Sequence, residues 1–346
     1  MKLKILTIIT FFSMGILLFS FLESWMYRPS KNDDNTIIQS SGKALALLQR
    51  SSYIFINNSR QKCASCHNNT LTAMSEGIAK RKGIPVIDSL SARNVQAMVS
   101  DLANACNPNL INDFLAGANF VIPYVLVGMD AVKYKPDVYT DLAVDYLMSQ
   151  SKADGSFLTE SGRDPLETGD VHLTAMAIRS IQLYASAAKK DKVEKLVAKA
   201  KTWLEKYPAI QEQDLCFQLL GLQWCGSTNT YKNRIATRIE GMQNADGGWS
   251  QLPTMKSDAY ATGQALYALY ESGEEKTKGS IYQKGLSYLL KTQKDDGSWF
   301  VPTRAYPIQP FVNGEFPPFD DNQFISAAAS NWALMALLNA LPDKKD

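Results

Sequence analysis

The chain has 346 residues, a formal net charge of +2, 45% hydrophobic and 20% charged residues, five cysteines and two histidines. This near-neutral balance, with no dense Lys/Arg face interleaved with aromatics, excludes nucleic acid as an expected partner. No P-loop and no Gly-x-Gly-x-x-Gly turn occurs, so nucleotide cofactors are not indicated.

The N-terminus carries an address. Met1-Lys2-Leu3-Lys4 is a short basic leader and is followed by an uncharged run over residues 5–22. That run is at the lower limit for spanning a bilayer and longer than the usual signal-peptide core. No Ala-x-Ala site and no lipidation cysteine follows, so residues 1–26 read as a signal anchor in preference to a cleaved signal peptide. Lys2 and Lys4 stay cytoplasmic by the positive-inside rule, which exports the remainder to the periplasmic side of the inner membrane. Residues 27–41 are polar, contain Pro29 and read as a tether. Residues 42–341 then form one domain, and 342–346 a polar tail.

Within the domain the most specific chemistry is Cys63-Ala64-Ser65-Cys66-His67, in a loop over residues 60–70. Cys-x-x-Cys-His places two thiols where they can bond to a haem edge and the next imidazole where it can ligate the iron, so haem c is the expected cofactor. Zinc and thiol redox chemistry are the rivals. A structural zinc site needs four N or S ligands, and Cys106, Cys216 and Cys225 each stand alone. A redox Cys-x-x-Cys opens a helix packed on a parallel sheet, and the alternation of strands and helices is missing here.

Internal repetition sets the architecture. Gln150 is followed by Asp154-Gly155-Ser156-Phe157, Gln243 by Asp246-Gly247-Gly248-Trp249, and Gln293 by Asp296-Gly297-Ser298-Trp299. Each unit is a helix end carrying Gln, a tight Asp-Gly turn, an aromatic, a loop and a helix rich in small residues. The second helices start near Asp170, Asp258 and Asp321, where an acidic residue suits an N-cap. A weaker copy runs from 199–204 to 214–220 without the turn. Upstream, 91–106 pairs with 112–132, and 42–56 with 71–82. Six helical hairpins with no convincing strand predict an all-α fold, an (α/α)6 toroid preceded by the N-terminal hydrophobic helix.

At these residues the chain resembles the squalene-hopene cyclase and protein prenyltransferase toroids: Lys284-Gly285-x-x-Tyr288-Leu289-x-x-x-Gln293-x-x-x-Gly297-x-Trp299 is similar to a complete QW motif of that family. The resemblance covers residues 141–341 and implies the toroid, with Gln and the aromatic tying an outer helix end to its turn. It implies activity less directly. The Asp-x-Asp-Asp acid of the cyclases is missing, Asp320-Asp321 being the nearest approach. Asp214-x-Cys216 has the form of the prenyltransferase zinc motif, yet no histidine follows it.

In the repeat frame Cys63–His67 occupies the place of the Asp-Gly-aromatic turns, which puts a haem at one mouth of the toroid. His67 is the expected proximal ligand. His172, at the start of the third inner helix, is the candidate distal ligand, with Met74 as a rival and Met176 behind it, and an open sixth position as a further option. Arg60 and Lys62 are placed to neutralise haem propionates. Cys106, Cys216 and Cys225 read as buried apolar residues. The expected function is an anchored, exported monohaem protein in electron transfer or redox sensing, with an unidentified redox partner. The alternative is an apolar, isoprenoid-like ligand in the toroid cavity, handled by a binding protein or an enzyme.

Overall fold

The computed structural model describes residues 33–59, 62–105, 118–159, 162–273, 277–305 and 314–344. The expected signal anchor, Arg60 and Cys106 lie outside these residues. Among the described residues no helix is long and apolar enough to cross a membrane.

Twelve α-helices and no strand occur among the described residues, with two isolated β-bridges in loops. Six form an outer layer: α1 (Asp34–Asn58), α3 (Asp88–Ala105), α5 (Val138–Gln150), α7 (Lys190–Lys206), α9 (Asn229–Gly241) and α11 (Ser280–Thr292). Six alternate with them and form an inner layer: α2 (Leu71–Lys82), α4 (Ala118–Ala131), α6 (Asp170–Tyr184), α8 (Glu212–Trp224), α10 (Ala259–Glu271) and α12 (Gln323–Asn339). Each inner helix packs on the next, and α12 packs on α2, which closes the ring. The (α/α)6 toroid expected from the repeats is the fold. Residues 34–41, read as tether, are the first turns of α1.

Patterning explains the two layers. On α7 the buried residues are Leu196, Ala200 and Leu204, one stripe at helical spacing under a lysine-rich outer face. On α12 every residue from Ile325 to Asn339 is buried, because the helix is enclosed on all sides. Small residues let such helices close up: a Cβ on Gly263 of α10 would stand 2.5 Å from the Trp332 carbonyl carbon of α12.

The repeated turns do the fastening. Gln243 donates to the carbonyls of Gly247 and of Ile281 on the next outer helix, both at 2.9 Å. Gln293 repeats this at Gly297 and at Ser40 of α1, across the ring closure. Trp249 and Trp299 are buried, and their indole N–H groups donate to Ile239 and Leu289 at 2.7 and 2.8 Å. The turns need glycine, since Gly247 and Gly297 have φ of +89° and +93°. Gln150 departs from the pattern: among the described residues its amide reaches Ser149 alone.

The expected caps divide. Asp258 caps α10, its carboxylate accepting from the Ala261 N–H at 3.0 Å. Asp170 does not cap α6: it is the first helical residue after Gly169 and accepts instead from Thr159 N–H at 2.8 Å. Asp321 does not cap either, because α12 begins after Asn322. A carboxylate near a helix start can serve the preceding loop instead of the helix, as Asp170 does here.

Candidate functional site

The turn of the first hairpin holds the Cys-x-x-Cys-His sequence and is built differently from the others. Cys66–Thr70 forms one π-helical turn that runs into α2, with Asn69 and Thr70 N–H groups both donating to the Ser65 carbonyl. Single π turns of this kind recur at functional sites. Side chains of the neighbouring helices fix it. Asn69 donates to Ser52 and Asn94, and the Ala64 N–H donates to Asp101 at 2.7 Å. Thr70 bonds back to the Cys66 carbonyl.

Cys66, His67, Asn68, Asn69 and Thr70 are all buried, while Cys63 is half-buried. The Cys66 Sγ lies 2.6 Å from His67 Nδ1 and 3.9 Å from Glu167 Oε1. Among the described residues, the buried His67 Nε2 has no hydrogen-bond partner. Burial, then the neighbouring His172, hold the His67 imidazole down to about 3, so it is neutral at ordinary pH. Burial pushes the Cys66 thiol well up, with Glu167 adding to it, and pushes Cys63 up as well, with Asp101 adding. A reactive redox pair uses lowered thiol pKa values, so this setting disfavours the thiol-exchange reading.

From this turn a line of groups runs inward. The His67 and Tyr124 rings are 5.0 Å apart, and the Tyr124 hydroxyl meets His172 Nε2 at 2.6 Å. His172 Nδ1 lies 3.2 Å from the Thr168 carbonyl, so Nδ1 carries the proton and Nε2 accepts from Tyr124. The His172 ring stacks on Phe217 at 3.9 Å, Phe217 meets Trp332 at 6.1 Å, and Trp332 meets Tyr267 at 5.3 Å. Phe324 stands beside His67 at 6.2 Å. These rings come from α4, α6, α8, α10 and α12, so the interior of the toroid beside the first hairpin is aromatic. Toward solvent the line runs the other way, through Glu167 to Arg163, whose Nε lies 3.5 Å from Glu167 Oε2.

Glu167 sits on the loop before α6, and that loop is braced from two further inner helices. Gln213 of α8 donates to the Pro165 carbonyl at 2.8 Å and accepts from the Tyr260 hydroxyl of α10 at 2.8 Å. Arg304 joins the same rim, donating to Gln251 at 2.8 Å and lying 4.0 Å from Asp164. A groove of about 590 Å³ beside α7, lined by Asp154, Lys199, Trp203 and Lys206, shares no residue with this mouth.

The two histidines of the chain are therefore brought to one place, as the repeat frame implies. His172 Nε2 faces Tyr124, which stands between the two imidazoles. Met74 and Met176 are buried in the common core. Cys216 donates to Glu212 of its own helix at 2.9 Å, and Cys225 is buried at the end of that helix. Asp320 and Asp321 are exposed. Sequence reasoning missed Glu167 and Tyr124. Glu167 stands five positions before His172, and Tyr124 has no motif around it.

Comparison with known proteins supports the fold. No family model matches the chain. Lanosterol synthase of Candida albicans is 29% identical over 117 residues, and alpha-onocerin synthase of Lycopodium clavatum 22% over 206. Those stretches are 34% and 59% of this chain but only 15% and 24% of the two synthases. Among solved structures, the type II terpene cyclase MstE from Scytonema superposes with a TM-score of 0.60 at 13% identity, over 90% of this chain and 99% of that one. MstE in complex with geranylgeranyl dihydroxybenzoate gives 0.58 at 15% identity, covering 89% and 99%. The unsaturated glucuronyl hydrolase of Bacillus sp. GL1 gives 0.56 at 12% identity, covering 87% and 96%. This chain has a terpene cyclase-like toroid, a fold that also carries sugar chemistry.

Proposed function

We propose that this chain is an exported toroid that takes an apolar, isoprenoid-like ligand into its aromatic interior. The observation that carries the reading is the run of rings in the interior: Tyr124, His172, Phe217, Trp332 and Tyr267 meet ring against ring in that order from five inner helices. Electron-rich ring faces suit an apolar or polyene chain and any positive charge that develops on it. MstE, bound to a geranylgeranyl compound, has the same fold. Export and anchoring rest on Lys2, Lys4 and the run over residues 5–22. The test is organic extraction of the chain purified in mild detergent, with mass spectrometry of the extract. A stoichiometric isoprenoid supports the reading, and an extract with only bulk phospholipid, together with no saturable binding of geranylgeraniol, opposes it.

A second reading keeps haem c on Cys63, Cys66 and His67, with electron transfer to an unidentified redox partner. Its supports are the Cys-x-x-Cys-His spacing and the unpartnered His67 Nε2, the atom that would meet the iron. In this reading Tyr124 must move from His172 Nε2 before that atom can serve as the distal ligand. A pyridine haemochrome spectrum on denatured protein, beside a Cys63→Ala/Cys66→Ala control, decides it.

A further inference from the structure

Three metal-binding side chains of different type converge at the mouth. Cys66, His67 and Glu167 each offer one ligand atom, and these atoms lie within 4.8 Å of one another, all three residues being buried. Among the described residues one such group exists. We infer that Cys66, His67 and Glu167 together hold a single divalent transition-metal ion.

Three observations favour an ion over the bare cluster. The spacing is near what an ion needs: bond lengths of about 2.3 Å to sulfur and about 2.0–2.2 Å to nitrogen or oxygen put neighbouring ligand atoms of a tetrahedral ion roughly 3.5 Å apart. The Sγ–Oε1 separation of 3.9 Å is close to that value, and the Sγ–Nδ1 pair, at 2.6 Å, has to open by about 1 Å as the ion replaces their direct contact. The imidazole turns Nδ1 toward the Cys66 thiol in a residue only 1% exposed, so the nitrogen that would meet the ion is shielded from water. Charge also balances, since a thiolate and a carboxylate neutralise a dication, leaving no net charge in a buried site. Binding would release the Cys66 thiol proton to solvent.

The surroundings fit the role. Arg163 holds the second oxygen of Glu167 at 3.5 Å, and Gln213 braces the loop on which Glu167 sits, so the carboxylate is oriented from behind. A mixed sulfur, nitrogen and oxygen set suits zinc or ferrous iron and not magnesium or calcium. Three protein ligands leave a fourth position open, which is the pattern of a reactive ion and not of a structural one. The ion does not use Cys63, whose thiol is set beside Ser59 and Asp101. Haem c needs both thiols, so the ion and the haem exclude each other. The ion does not depend on the apolar-ligand reading.

The test uses the full chain, exported in a host with cytochrome c maturation. Metal content is measured by plasma mass spectrometry, and the chelated protein is then titrated with cobalt(II) while the sulfur-to-cobalt absorption is followed. One zinc or iron per chain and a thiolate band with cobalt are expected. Cys66→Ser should abolish the band, Glu167→Gln should weaken cobalt binding by at least about tenfold, and Cys63→Ser should change neither. A covalent c-type haemochrome overturns the proposal, as does a chain with no stoichiometric ion and no thiolate band, or a band that survives Cys66→Ser. Should Cys66→Ser fail to fold, the cobalt spectrum of the unmutated chain still reports whether a thiolate is bound. An ion present without geranylgeraniol binding would sink the apolar-ligand reading alone.

Discussion

The turn of the first hairpin and the turns of the fifth and sixth occupy equivalent places between an outer and an inner helix, and they are filled in opposite ways. At Gln243–Trp249 and Gln293–Trp299 the polar side chains are spent on the scaffold: both amides bridge to the next outer helix, and both indoles are satisfied. At Cys63–His67 the same place holds a thiol beside an imidazole, an unpartnered ring nitrogen and a buried carboxyl from another hairpin. Titratable groups buried without full pairing cost stability, and folds retain them where chemistry is done. The difference teaches where in a repeat fold to look for function: at the copy that breaks the repeat's own bonding rule.

The comparison can be broken first by acid. Burial holds His172 down to about 3, against 6.5 when unfolded. Its contribution is whole above about pH 6.5 and is lost as pH falls toward 3, up to about 5 kcal/mol over the window. Urea denaturation at a series of pH values should show this loss, and His172→Gln should reduce the slope by the share of one imidazole, His67 supplying a like share. A slope unchanged in the variant would place the acid sensitivity elsewhere.

Next in size is the exchange of side chains between the two kinds of turn. Trp299→Ala should cost about 3–5 kcal/mol, because it empties a fully buried site. His67→Leu should change stability by no more than about 1 kcal/mol, since it removes an unsatisfied polar atom and keeps the volume. Equal losses in chemical denaturation would mean that the first turn is scaffold too. The fifth hairpin should then respond to pH with the reverse sign. Burial raises Asp258 from 3.8 to about 6, so its stabilising share is whole below pH 3.8 and is lost as pH rises toward 6, about 3 kcal/mol in all. Asp258→Asn, which can still cap α10, should remove that slope. The smallest effect is expected from Gln293→Ala, about 1–2 kcal/mol for the hydrogen bonds to Gly297 and Ser40. Gln150→Ala, where the amide reaches only Ser149, should stay within about 0.5 kcal/mol.

The toroid was legible because its signals are local and repeated. Gln, Asp-Gly and an aromatic recur at fixed spacing, and the small-residue helices that follow can only be inner ones. Asp258 was legible as a cap for the same reason, whereas Asp170 and Asp321 were not, since nothing local says whether a carboxylate bonds forward to its helix or back to its loop. The site was half legible. Cys66 and His67 announce themselves, and the repeat frame brings His172 to the same mouth. Glu167 comes from the third hairpin and meets the first across the second, a contact set by loop length and by the bracing of Gln213 and Tyr260. Tyr124 lies mid-helix on α4, where an aromatic reads as core. The π turn at Cys66–Thr70 left no mark in the pattern, because one extra residue in one turn does not disturb the helix that follows.

The central claim is that the aromatic interior beside the first hairpin receives an apolar ligand. Its most direct test is calorimetric titration of the full chain with geranylgeraniol, unmutated and as Phe217→Leu, a change at the ring that joins His172 to Trp332. Saturable binding that weakens at least about tenfold in Phe217→Leu, through loss of a buried ring contact, is the predicted result. Absence of saturable binding to the unmutated chain, or the same affinity in both, would contradict it.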